Sequence, residues 1–149
     1  MFLWLVCHER VLTNVEKRRR RLTQVSSCAI CGDGREGLDH FLRFCPPTLW
    51  RWNQLIRSDA SNEFNTLPIK EWILANFLTP TRFVYNFSEW PTMFPYILWN
   101  LWKRGNERVF QGNFGQRDDI LALSLSMANM GQRVAGSIGT EATIWCQVE

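Results

Sequence analysis

Four residues in one short stretch have the side chains and the spacing to hold a metal ion: Cys28, Cys31, His40 and Cys45, a Cys-x2-Cys-x8-His-x4-Cys pattern. Zinc takes thiolates and imidazole in closed tetrahedral structural sites, and two Cys separated by two residues can grip one ion from a tight turn. Gly32 follows Cys31 directly and accepts the backbone angles such a turn demands. The polar loop Asp33-Gly34-Arg35-Glu36-Gly37 then returns the chain toward the metal. His40 and Cys45 are expected on or at the end of a short helix, with Leu38, Phe41, Leu42 and Phe44 packed around them. A Cys pair two apart also serves redox motifs, but those accompany a βαβ pattern that is absent here. Four protein ligands leave no position for a water, so a zinc ion here is expected to stabilise rather than catalyse, by roughly 10 kcal/mol or more. Cys7 and Cys146 read as isolated, partly buried thiols.

A second chemistry lies just upstream, in the basic run Lys17-Arg18-Arg19-Arg20-Arg21. Residues 1–27 hold six basic and two acidic side chains, a net +4 that exceeds the +3 of the whole chain, so all of the basic excess precedes the cysteines. That asymmetry points to an anionic partner for the N-terminal end. On a helix the five residues wrap the whole circumference. Val15 and Leu22 define an apolar seam, and Arg18 and Arg19 fall on that same face. Either their stems pack with the heads reaching water, or the face meets phosphates, whose geometry the guanidinium fork matches. The run also fits a nuclear localisation signal, a weak motif by itself.

The elements that must position these groups read as helices. A short one is expected from Phe2 to Arg10. Thr13 followed by Glu16 forms a capping box that starts a second, running to about Leu22. Pro46 and Pro47 suit the first turn of the next, along which Leu49, Trp52, Leu55 and Ile56 recur at helical spacing. Ser58 to Asn65 is polar and marks the expected domain boundary. Beyond it, Ile69, Trp72, Ile73 and Phe77 form an amphipathic helix after Pro68. Thr79 to Trp90 reads as irregular. A long helix from about Thr92 to Phe110 follows, with Phe94, Ile97, Leu98, Leu101 and Trp102 on its apolar side. A last one starts near Asp118, a good N-cap, and reaches about Met130. Trp50, Trp52, Trp99 and Trp102 are read as core. The expected fold is mostly α: a small zinc-stapled helical domain, residues 1–57, followed by a helical extension, residues 58–149.

Some classes are excluded. Phe2 to Val6 is too short an apolar run for a membrane span, and Met93 to Trp102 is interrupted by Pro95 and Asn100. The apolar start has no basic residues before it and runs into His8, Glu9 and Arg10, unlike a signal peptide. An intracellular, reducing location with no membrane partner is expected. There, clustered cysteines bind metal more often than they form disulfides.

Beyond physical pattern, three stretches resemble the reverse transcriptase zinc-binding domain of plant non-LTR (LINE-type) retrotransposons. They are the run from Phe2 to Asn14 with its Trp4, Arg10, Leu12 and Thr13, the Cys28-Ala29-Ile30-Cys31-Gly32 pair, and His40-Phe41-Leu42-Arg43-Phe44-Cys45-Pro46 before an aromatic helix. The resemblance covers about residues 2–57. Ile97-Leu98-Trp99-Asn100-Leu101-Trp102-Lys103, with Asn106 and Val109-Phe110, is similar to the helical connector that follows in such polyproteins. It departs at Gly105, where the family usually has Arg, a change that drift in a decaying copy would explain. The longer gap between Cys31 and His40 separates the site from retroviral zinc knuckles.

The resemblance implies a region downstream of a reverse transcriptase and often upstream of a ribonuclease H, neither of which is visible; no carboxylates are arranged for two catalytic magnesium ions. The chain thus reads as a detached fragment of a retroelement protein. It is expected to be a non-enzymatic accessory module that binds zinc and, through Lys17 to Arg21, RNA or DNA without sequence preference. The alternatives are a protein-interaction module docking on a reverse transcriptase domain, or a decayed fragment without activity.

Overall fold

The structure, a computed structural model, describes residues 2–85, 88–111 and 120–132. Among these residues there are helices and turns and no strand. Helix α1 spans Phe2–Cys7 and buries Val6 and Cys7. It stops three residues short of the expected Arg10 because Glu9 adopts φ 53°. Arg10 N–H donates to the Leu5 carbonyl and Glu9 N–H to that of Val6. This Schellman pair satisfies carbonyls that a helix end leaves open.

Helix α2, Asn14–Arg19, is capped as expected by Thr13, whose hydroxyl accepts from the Glu16 N–H at 3.3 Å. Only half of the capping box forms, since the Glu16 carboxylate turns instead to Arg19 and Arg20. The helix closes on a second Schellman pair, Arg21 N–H to Arg18 and Leu22 N–H to Lys17, with Arg21 at φ 61°. It therefore does not reach Leu22 as a helical residue. Leu22 is 68% exposed, and α2 has no buried residue. The apolar seam expected through Val15 and Leu22 does not exist.

Residues 40–44 make a π-helical turn, His40–Phe44, closed by Cys45 N–H donating to the His40 carbonyl at 2.6 Å. Helix α3, Pro46–Leu55, starts immediately with both prolines in its first turn. The polar stretch from Ser58 to Asn65 is helical: a 3-10 turn, Ser58–Ala60, leads into α4, Ser61–Thr66, which buries Phe64. Helices α5, Ile69–Leu78, and α6, Trp90–Gln111, follow the expected apolar patterns; α6 begins two residues early, with Pro91 in its first turn. Helix α7 is described over Ile120–Gln132; the proposed cap Asp118 lies outside the described residues.

The core is aromatic. Trp52, Phe64, Trp72, Trp90 and Phe94 are nearly or fully buried and meet mostly edge-on or tilted, with ring centroids 5.2–6.4 Å apart. That geometry opposes the positive ring edge to the negative face. Around it, α6 packs on α5, α7 and the π turn, and α1 packs on α5. One continuous apolar cluster therefore links Val6 and Leu42 on one side of residue 57 to Ile73, Leu98 and Ala128 on the other. Of the tryptophans read as core, Trp52 is buried, Trp99 and Trp102 are half-buried and stacked on each other, and Trp50 is 62% exposed. No helix among the described residues is long and apolar enough to cross a membrane.

Candidate metal centre

The turn after Cys28 is built by backbone bonds: Gly32 N–H donates to the Cys28 carbonyl at 2.9 Å, and Cys28 N–H donates to the Asp33 carbonyl at 2.8 Å. Gly32 takes φ 77°, a left-handed value that side chains resist. The Ile30 N–H points at Cys28 Sγ, 3.4 Å away. The π turn then carries His40 and Cys45 back over this knuckle, because its wide closure delivers Cys45 at the start of α3 rather than further round a helix. The expectation of a short helix at His40 and Cys45 holds in this form.

The result gathers one ligand atom from each of Cys28, Cys31, His40 and Cys45 within 4.8 Å of one another. Cys28 Sγ lies 3.8 Å from Cys45 Sγ, and Cys31 Sγ lies 3.3 Å from His40 Nε2. A tetrahedron with metal–sulfur bonds of about 2.3 Å and a metal–nitrogen bond of about 2.0 Å has edges of roughly 3.8 Å and roughly 3.5 Å for these two pairings. The donor set therefore fits a four-coordinate ion. Cys28 and Cys45 are buried and Cys31 is exposed. His40 presents Nε2 to the cluster while its Nδ1 faces the Asp33 carboxylate at 3.9 Å, an electrostatic neighbour that favours this ring orientation.

Burial pushes the Cys28 thiol up, against a smaller opposing pull from the Cys31 and Ile30 N–H groups. Burial and then the adjacent Cys28 push Cys45 up further. Packed together as neutral thiols they are stable; as thiolates they need a cation between them. Cys7 is not the isolated thiol expected from the sequence: it is buried at α1 and disulfide-bonded. Cys146 lies outside the described residues.

Helix α2, which carries the start of the basic run, is docked onto the loop of this centre. Asn14 Nδ2 donates to the Ser27 carbonyl at 2.8 Å, Asn14 N–H to the buried Glu36 carboxylate at 3.3 Å, and Val15 N–H to the Glu36 carbonyl at 3.2 Å. Arg18 Nη1 reaches Ser26 Oγ at 3.3 Å. These residues carried no motif signal, since each contact joins positions eight or more apart. The five basic residues do not behave alike. Arg19 and Arg20 both bond the one Glu16 carboxylate, at 2.6–2.7 Å. Lys17, Arg18 and Arg21 form no ion pair among the described residues. Arg18 to Arg21 are exposed and Lys17 is half-buried.

Known proteins bear on the same region. A curated Arabidopsis thaliana protein, named as a ribonuclease H protein, is 32% identical over 119 residues, 80% of this chain. The chain spans 19% of that relative's length. No solved structure matches the chain. The stretch that carries α1, the docked basic helix and the four gathered ligands, residues 1–52, matches the family model for zinc-binding in reverse transcriptase.

Proposed function

We propose that the N-terminal part of this chain is a zinc-stapled, non-catalytic accessory module of a retroelement reverse transcriptase, and that it holds RNA or DNA through phosphate contacts. Cys28, Cys31, His40 and Cys45 would hold the ion, which supplies cross-linking of the loop and no open coordination position. The observation that carries the reading is the docking of α2 on the metal loop through Asn14, Val15 and Arg18. A six-residue helix is too short to persist alone in water. Tied to a metal-locked loop, it presents Arg18 and Arg21 in fixed positions, where phosphate binding costs less ordering entropy.

Metal analysis and salt-dependent binding test this together. One zinc per chain and loss of folding in Cys28→Ser are expected, and a log–log salt slope of about −0.9 per phosphate contacted on duplex. Absence of bound metal, or binding unaffected by Ala at Arg18 to Arg21, overturns it. Docking on a neighbouring polymerase domain is a second reading, favoured by Trp50, which is 62% exposed on α3. Trp50→Ala would then weaken capture of that domain and leave nucleic-acid binding intact.

A further inference from the structure

Between two of the metal ligands the sequence reads Phe41-Leu42-Arg43-Phe44, one charge in an apolar run. Arg43 is only 2% exposed. A guanidinium taken out of water is costly unless its charge and donors are met, and here they are. Nη1 donates to the Phe64 carbonyl at 3.2 Å and the Leu67 carbonyl at 2.7 Å. Nε donates to Asp39 Oδ1 at 3.0 Å, and Nη2 pairs with the same oxygen. The guanidinium also lies 5.0 Å from the ring centroid of Trp72 on α5.

Phe64 and Leu67 stand at the end of α4, where carbonyls lack intrahelical partners and carry the negative end of the helix dipole. A side chain whose backbone belongs to the metal-binding turn thus caps a helix more than twenty residues away and covers the aromatic centre of the core.

Building on the zinc reading above, we propose that Arg43 is the positioning residue that couples metal binding to the packing of α4 and α5. With His40 and Cys45 both ligated, the turn His40–Phe44 has one conformation, and that conformation aims Arg43 at the end of α4. Without the ion the turn loses this constraint. The α4 carbonyls then lose their cap, and the buried charge loses fixed partners. The coupling is reciprocal, because linkage works in both directions: docking of α4 on Arg43 pre-forms the turn and tightens metal binding.

The test is peptide-resolved amide hydrogen exchange on the full chain, with Zn2+ and after chelation, beside a Zn2+ competition titration. In the unmodified chain, chelation should accelerate exchange across residues 61–78 as well as across the ligand loop. Arg43→Met keeps the ligands and the apolar stem. It should still bind one ion, about 10-fold or more weakly, with α4 and α5 exchanging fast even when metal is present. Arg43→Lys should recover part of both effects, whereas a merely space-filling role would be served as well by Met. Unchanged α4 and α5 exchange on chelation, or wild-type affinity and protection in Arg43→Met, overturns the proposal. If Arg43→Met does not fold with Zn2+, Asp39→Asn carries the test by removing one partner from a half-exposed position: weaker affinity with partial loss of α4 protection is expected, and wild-type values overturn the coupling. Failure of the unmodified chain to bind zinc would instead overturn the functional reading on which the coupling rests.

Discussion

Gly105 of α6 lies against the ring of Phe41, so closely that a Cβ at that position would sit 2.3 Å from Phe41 Cε2 and 2.9 Å from Cζ. Phe41 directly follows His40, one of the four proposed ligands, so this contact sets how near the long helix approaches the turn that carries His40 and Cys45. The resembled family usually has Arg here, and packing gives a physical reason for glycine in this chain. Gly105→Ala should gain about 1 kcal/mol of helix propensity and lose about 1–3 kcal/mol to overpacking. The expected net effect is destabilisation, read as a Tm lowered by several degrees on the zinc-loaded protein; a raised Tm would show that Phe41 yields freely.

Gly32 is required for its backbone and two neighbouring glycines are not. At φ 77° it closes the knuckle, while a Cβ at Gly34 or Gly37 would meet nothing within 4 Å. Gly32→Ala should cost about 1–2 kcal/mol through left-handed strain, visible as a several-fold or greater loss in zinc affinity. Gly34→Ala should leave affinity within about two-fold, because neither strain nor overlap arises there.

Arg21 is a non-glycine residue in the left-handed cap of α2, at φ 61°. Arg21→Gly should relieve strain of up to about 1 kcal/mol while deleting one exposed cation. Stability and nucleic-acid affinity should therefore move in opposite directions, with the salt slope shallower by about 0.9. Thermal melting and a salt titration on one variant check both; parallel changes would show that Arg21 contributes only to folding.

Glu16 is held at about pKa 2, first by its hydrogen bonds from Arg19, then by those from Arg20. A carboxylate lowered in the folded state contributes stability above its unfolded value of 4.5, and that contribution is lost as pH falls from there through about 2. NMR titration of the Glu16 side-chain carboxyl should give a midpoint well below that of an ordinary glutamate. The same pairing withholds two arginines from phosphate. Glu16→Gln should steepen the log–log salt slope by about 1–2 and leave zinc stoichiometry unchanged.

The candidate ligand set and most helices were legible because each depends on short-range spacing. Cys28, Cys31, His40 and Cys45 fall within one loop and turn, and the apolar periods of α3, α5 and α6 lie within single elements. Trp50 and Trp52 show where local pattern ends. Two residues apart on a helix, they point about 200° from each other, so one core can bury only one of them. Which one is buried depends on where Phe64, Trp72 and Phe94 lie, and those arrive from distant segments. The basic run was recognisable from composition, but its seam was not real, because α2 ends in a left-handed cap before Leu22. The gathering of Cys28, Cys31, His40 and Cys45 into one cluster was therefore legible in the sequence itself, since it needs only local spacing. Tertiary structure alone decided that α2 docks on the loop through Asn14 and Glu36, and that Arg43 is buried with the end of α4. Burial and hydrogen-bond partnership are properties of surfaces brought together from far along the chain, and no local window contains both halves.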